Sequence, residues 1–233
     1  IELDILDILQ RLFEVVYRWL IAHTKVNSFN FSGLVVDISC IDIDLSPITT
    51  CTIDGEWDIM IAHPPCTFLA VSGAKWYYHP EDKDLPLDQR RPHPRFPNRA
   101  QDRQEAIEFF LKLAHADIKH IAIENPVGIM NSKFRKPDQI VQPYHFGDSA
   151  SKKTCLWLKN LPPLEYTDVV DPGEFIEFGS GRRLAKWYSD GLTKTKTAEE
   201  RRTWRSKTFP GFAKAIAEQW SEVLINEKIH KKN

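Results

Sequence analysis

The chain has 233 residues, of which 42% are hydrophobic and 27% charged, and its formal net charge is −1. These values predict a soluble globular protein of one domain with at most a small appendage, and they exclude collagen-like, low-complexity and fully disordered chains. A near-zero total does not exclude nucleic acid, because a binder of that kind needs a local basic face rather than a basic sum.

Residues 2–22 place Leu3, Leu6, Leu9, Leu12, Phe13, Val16 and Leu20 at helical spacing, which predicts an amphipathic helix packed on a sheet. Its most apolar part, Leu12–Ala22, is broken by Glu14 and Arg18, so no membrane span and no signal peptide is expected. A turn-rich break at 27–33 precedes two short β-branched runs, 34–38 and 41–45, and a loop or edge strand at 47–56.

Ile59–Ala62 then has the length and composition of a buried strand, stopped by Pro64 and Pro65, which cannot donate to a sheet ladder. Cys66 is therefore expected just past the carboxyl end of a strand, where open α/β sheets place their ligands. Residues 67–98 carry no long periodic segment; basic side chains (Lys75, Arg90, Arg91, Arg95 and, just beyond, Arg99) are interleaved with Trp76, Tyr77, Tyr78 and Phe96. A loop of that length is commonly functional. Residues 100–116 predict a helix with Ala106, Ile107, Phe110, Leu111 and Ala114 on its apolar face.

A second apolar run, His120–Ile123, leads into Glu124-Asn125-Pro126 and delivers a carboxylate to the same kind of edge as the thiol. Strand, helix, strand is the alternation of a parallel, doubly wound sheet. Residues 137–146 and 154–158 predict two more strands in a hairpin around 147–153, and 211–229 a closing helix. The segment between, 171–208, is basic and aromatic, with Arg182, Arg183, Lys186, Arg201, Arg202, Arg205, Trp187, Tyr188 and Trp204. The expected division is a catalytic α/β domain over 1–170, a small basic recognition insertion over 171–208, and a helix over 209–233 returning to the first domain.

Two readings of Cys66 stand side by side. It is either a small buried hydrophobe or a nucleophile with Glu124 as its acid–base partner. A glutamate ending an apolar strand must reach water or meet a partner, since a lone buried carboxylate is costly, and burial would raise its pKa. His63 reads as a cap on the turn. Cys40, Cys51, Cys66 and Cys155 have no disulfide-framework spacing, which predicts a reducing, cytoplasmic setting. No second pair joins His63 and Cys66 in a zinc pattern, so no metal is expected.

The stretches Trp57-Asp58-Ile59-Met60-Ile61-Ala62-His63-Pro64-Pro65-Cys66-Thr67 and Ile123-Glu124-Asn125-Pro126 resemble the Pro-Cys and Glu-Asn motifs of the 5-methylcytosine DNA methyltransferases, above all small phage and prophage members. Two later blocks extend the likeness: Tyr144–Gly147 with Ser151–Leu158, and Ser206–Gly211 with Ala217–Trp220. The resemblance implies a Rossmann-like methyltransferase fold with a mostly parallel, doubly wound sheet and a basic target-recognition appendage. It implies methylation of cytosine at C5 in double-stranded DNA, with S-adenosylmethionine as cofactor, in a bacterial or phage-infected cell. Cys66 would add to C6 of a flipped base and Glu124 would assist at N3. Asn125 would order the loop, and Lys152 and Thr154 would touch the base or its phosphate, unless they only solvate a strand edge. Lys75, Arg91, Arg95, Arg182, Arg183, Arg201, Arg202 and Arg205 would contact DNA, the alternative being solvated charged loops.

For the cofactor, Phe31-Ser32-Gly33 resembles the family's turn, Asp44 the acid for the ribose, and Pro64 a further contact. Residues 34–43 are too few for the helix and strand that the family places between the turn and the acid, and the helix at 2–22 is the expected replacement. Two other functions remain open on the sequence: a DNA-binding relative without activity, and an enzyme modifying free pyrimidine nucleotides.

Overall fold

A computed structural model describes residues 57–230 and the backbone of 35–39. The helix expected at 2–22, the strand at 41–45, the segment 47–56 and the proposed cofactor residues Phe31, Ser32, Gly33 and Asp44 lie outside the described residues. The first described element, strand β1 (Val35–Ser39), falls one residue later than the expected run at 34–38.

From Trp57 onward the elements are β2 (Ile59–His63), helix α1 (Arg99–Ala114), β3 (His120–Pro126), α2 (Met130–Lys133), β4 (Gln139–Val141) and β5 (Thr154–Lys159). A ribbon follows, β6 (Phe175–Glu177) and β7 (Arg183–Ala185), then α3 (Lys186–Thr193), α4 (Ala198–Ser206) and α5 (Pro210–His230). The main sheet has the order β1–β2–β3–β5–β4. Strands β2 and β3 are parallel, with Ile59 opposite His120 and Ala62 opposite Ile123. Strand β5 runs antiparallel to β3, from Ile121 opposite Lys159 to Pro126 opposite Thr154. The chain is thus mixed α/β with a mixed sheet.

The β2–α1–β3 unit matches the expected strand–helix–strand alternation. The antiparallel β5 does not extend it: β5 runs against β3, so it joins the sheet without the crossover that a parallel pair requires. The expected strand at 137–146 is also shorter. Pro143, which cannot donate to a ladder, starts a 3-10 turn over Pro143–His145 instead.

Contacts divide the chain into two compact units, one of Ile38–Ile140 with Thr154–Asn160, the other of Ile1–Asp37, Val141–Lys153 and Leu161–Asn233. In the first, alternate residues of three strands point to one side: Met60 and Ala62 from β2, Ile121 and Ile123 from β3, Cys155 and Trp157 from β5. Helix α1 covers them with Ile107, Phe110 and Leu113, and Phe110 meets Trp157 edge to face at 5.1 Å. Each such side chain, fully buried, contributes about 1.5–3 kcal/mol. The opposite face is buried too at Ile59, His120, Ala122 and Leu156. Burial on both faces explains why these strands read as continuous apolar runs rather than alternating ones.

In the second unit α5 buries Phe212, Ala215, Ile216, Trp220 and Leu224, and Trp220 donates its indole N–H to the Pro162 carbonyl at 3.0 Å. Gly211 starts this helix where a Cβ would fall 1.7 Å from the Phe146 carbonyl oxygen. Helices α3 and α4 pack through Trp204, which donates to the Trp187 carbonyl at 2.9 Å and lies where a side chain at Gly191 would be.

Candidate active site

The parallel register of β2 and β3 decides what lies at their carboxyl ends. With Ala62 opposite Ile123, the next position sets His63 beside Glu124, and both side chains project from the face that α1 does not cover. His63 Nδ1 lies 3.1 Å from Glu124 Oε2, with the two side chains 19% and 16% exposed. The carboxylate thus meets a partner, as a glutamate in this setting must.

One position on, Asn125 turns to the α1 side of the sheet. Its side-chain amide donates to the Pro64 carbonyl at 2.7 Å, across the gap between the strand ends. Asn125 is 2% exposed, and its Oδ1 is buried without a hydrogen-bond partner. This bond pins the proline turn that carries Cys66. Cys66 is exposed, so the reading of it as a buried hydrophobe is corrected; the buried thiol is Cys155. Burial, helped by the negative charge of Glu124, pushes the Cys155 thiol up to about 11, which makes it a poor nucleophile.

The backbone beyond the two strands is zipped together. Cys66 closes its own turn by accepting from the amides of Leu69 and Ala70 at 3.1 and 2.9 Å. Ala70 and Gly128 form an antiparallel bridge. The Ile129 amide donates to the Leu69 carbonyl at 2.9 Å, and the Val71 amide donates to the Val127 carbonyl at 3.2 Å. The approach depends on Gly128, where a Cβ would stand 2.1 Å from the Leu69 carbonyl oxygen.

A third support comes from α1. Arg99, buried at the first turn of the helix, donates to the Thr67 carbonyl at 3.0 Å and lies over the rings of Phe68, Tyr77 and Phe96 at 5.1–5.7 Å. Tyr77 donates its hydroxyl to the Phe68 carbonyl, and burial raises its pKa. The long loop 67–98 is therefore ordered by an arginine–aromatic cluster and three short 3-10 turns.

Of the expected catalytic set, Cys66, Glu124, Asn125 and Thr154 all belong to the sheet unit, as does the expected cofactor contact Pro64. Thr154 is buried at the start of β5, opposite Pro126. Lys152 belongs to the other unit, where its Nζ donates to the Lys207 carbonyl at 3.1 Å. Sequence reasoning assigned His63 to the turn, counted Arg99 only among the basic residues interleaved with aromatics, and passed over Gly128. Their spacing held a signal: a glycine two residues past the Glu-Asn-Pro turn, and an arginine at a helix start that also follows aromatic residues.

The basic residues divide by what already engages them. Arg91 is clamped on Asp82 through Nη2–Oδ1 at 2.6 Å and Nε–Oδ2 at 2.9 Å, and it holds that carboxyl down to about 2. Arg205 donates to the Tyr188 hydroxyl and stacks on its ring at 4.4 Å. Arg201 keeps a buried Nε without a partner. Lys75 lies over Trp76 at 4.7 Å, Arg95 over Phe96 at 5.3 Å and Arg183 over Phe175 at 4.8 Å, while Arg182 and Arg202 are exposed.

Among the described residues no group of His, Cys, Asp and Glu could hold a metal, and no helix is long and apolar enough to cross a membrane. Of the residues expected to hold S-adenosylmethionine, only Pro64 is described; it is buried and its carbonyl is engaged by Asn125. No family model matches the chain, and no curated protein matches it.

Proposed function

We propose that this chain methylates cytosine at C5 in double-stranded DNA. The observation that carries the reading is the pairing of strand ends. An exposed thiol follows β2, a half-buried glutamate ends its parallel neighbour β3, and the Asn125–Pro64 bond ties the two together. The Rossmann-like, doubly wound arrangement is the finer fold this reading calls for.

C5 of cytosine is a poor nucleophile until C6 carries an adduct. A base in a duplex reaches a protein thiol only when it is turned out of the stack. The Cys66 sulfur would form a bond to C6 while Glu124 gives a proton to N3, so that electron density moves to C5. When bound, S-adenosylmethionine supplies the electrophilic methyl group. Loss of the C5 proton to water then re-forms the C5–C6 double bond and breaks the sulfur–C6 bond, the sulfur leaving as the Cys66 thiolate, and N3 returns its proton to Glu124. DNA would be held by Lys75, Arg95 and Arg183, whose neighbouring rings Trp76, Phe96 and Phe175 suit contact with bases and backbone, together with the exposed Arg182 and Arg202.

Thiol addition can be tested apart from methyl transfer. Once C6 is substituted, C5 exchanges its hydrogen with water, so a duplex containing cytosine tritiated at C5 should release tritium when mixed with the protein alone. Labelled S-adenosylmethionine should then mark the same DNA. Cys66→Ala should abolish both signals and leave DNA affinity largely intact, whereas Glu124→Gln should slow both by about a hundredfold or more. A wild-type protein that neither releases tritium nor transfers methyl would refute the reading. DNA binding without either signal would favour an inactive DNA-binding relative, and exchange on free nucleotides but not on duplex would favour a nucleotide-modifying enzyme.

A further inference from the structure

The His63–Glu124 contact has a chemical direction. With the transferable proton of Glu124 on Oε1, or absent, Oε2 can only accept, and a proton between His63 Nδ1 and Glu124 Oε2, 3.1 Å apart, then belongs to the imidazole. His63 is fixed by the end of β2 and Glu124 by the facing position of β3, so the pair is aligned by the sheet rather than by the loop that carries Cys66. Glu124 also acts on Cys155, which stays a neutral thiol at ordinary pH.

We propose that His63 is a positioning residue for Glu124: its Nδ1–H holds Oε2, so that the proton passed to and from the pyrimidine N3 resides on Oε1. This rests on the cytosine reading above. His63 itself gains and loses no proton in the cycle. What it supplies is orientation of the carboxyl group and a fixed choice of which oxygen is the acid, as partner groups commonly do for catalytic side chains.

Substitution at His63 separates orientation from bulk. Asn places its amide nitrogen the same number of bonds from Cα as Nδ1, Gln places it where Nε2 lies, and Phe keeps the ring without a donor. His63→Asn should retain most of the turnover number for tritium release, while His63→Gln and His63→Phe should lose about tenfold or more. KM for DNA should stay within about twofold in all three, because substrate is held elsewhere.

A purely structural cap would instead track thermal stability and would not rank Asn above Gln. Equal rates for the Asn and Gln variants, or a wild-type rate for the Phe variant, would overturn the proposal while leaving the cytosine reading in place. A second measurement needs no activity: nitrogen chemical shifts of His63 in the full chain should report a protonated Nδ1 near neutral pH. They should show this preference lost in Glu124→Leu. An Nε2–H tautomer in the wild type would overturn the assignment whatever the chain does to DNA.

Discussion

Replacing Gly128 by Ala tests whether the two loops beyond β2 and β3 are locked as described. Gly128 does not adopt a left-handed backbone, so an Ala there carries no conformational strain and would by itself stabilise by about 0.4–1 kcal/mol through the unfolded chain. The new Cβ, however, would stand 2.1 Å from the Leu69 carbonyl oxygen and 2.8 Å from its carbon, where carbon contacts normally settle near 3.5 Å. The loops must part by about 1 Å or more. That stretches the Ile129–Leu69 and Val71–Val127 bonds, now 2.9 and 3.2 Å, past useful length. Two backbone hydrogen bonds at about 0.5–1.5 kcal/mol each and an overpacking cost of about 1–3 kcal/mol outweigh the entropic gain. The net destabilisation is then about 1–5 kcal/mol. Native-state hydrogen exchange, read at the Val71 and Ile129 amides, should show faster opening in the variant, and alkylation of Cys66 should change in rate. A variant as protected as the wild type, or more so, would refute the described approach of the two loops.

Three other perturbations have defined outcomes. Arg91 holds the Asp82 carboxyl at about 2, below the ordinary aspartate value of about 3.9. Its contribution to stability is therefore complete above that ordinary value and is lost as pH falls through it toward 2. Asp82→Asn should flatten this acid limb, and an unchanged limb would exclude the clamp as its source. Cys66 should react with a maleimide on the native protein while Cys155 should not until the chain unfolds, as peptide mapping would show; equal labelling of both would contradict the burial of β5. DNA affinity should fall steeply with salt, and replacing the exposed Arg182 by Ala should reduce the log–log slope by about 0.9. Arg205→Ala should instead lower stability, because its guanidinium serves Tyr188; a salt slope unmoved by Arg182→Ala would remove that residue from the interface.

The elements that sequence located best were those whose side chains face a single environment. Helix α1 was expected at 100–116 and spans Arg99–Ala114, and the closing helix was expected at 211–229 and spans Pro210–His230, because each buries one stripe at a period of 3.6. Strands β2 and β3 were legible as apolar runs, since both faces are covered. Their adjacency followed from the strand–helix–strand order. The antiparallel placement of β5 was not legible, because Thr154–Leu158 looks the same in either direction and only pairing partners distinguish them. At the site, the residue types at the strand ends were visible, but the contacts that hold them were not. His63 meets Glu124 through register, a property of two segments sixty residues apart, and the role of Gly128 depends on the path of Leu69.

The sheet unit is discontinuous in the chain: Ile38–Ile140 is followed by Val141–Lys153 in the other unit before Thr154–Asn160 returns. During synthesis β3 must wait for β5, which leaves the ribosome later, before both of its edges are paired. A gene fragment ending at Ile140 would therefore carry the cysteine and the glutamate on a strand with one bare edge, open to pairing with other chains. By the same geometry, a nick between Gly147 and Lys153 would leave the six facing residue pairs of β3 and β5, and the Phe110–Trp157 contact, among the links that hold the two pieces together. Two fragments expressed side by side could rebuild the strand ends that one fragment alone leaves unfinished.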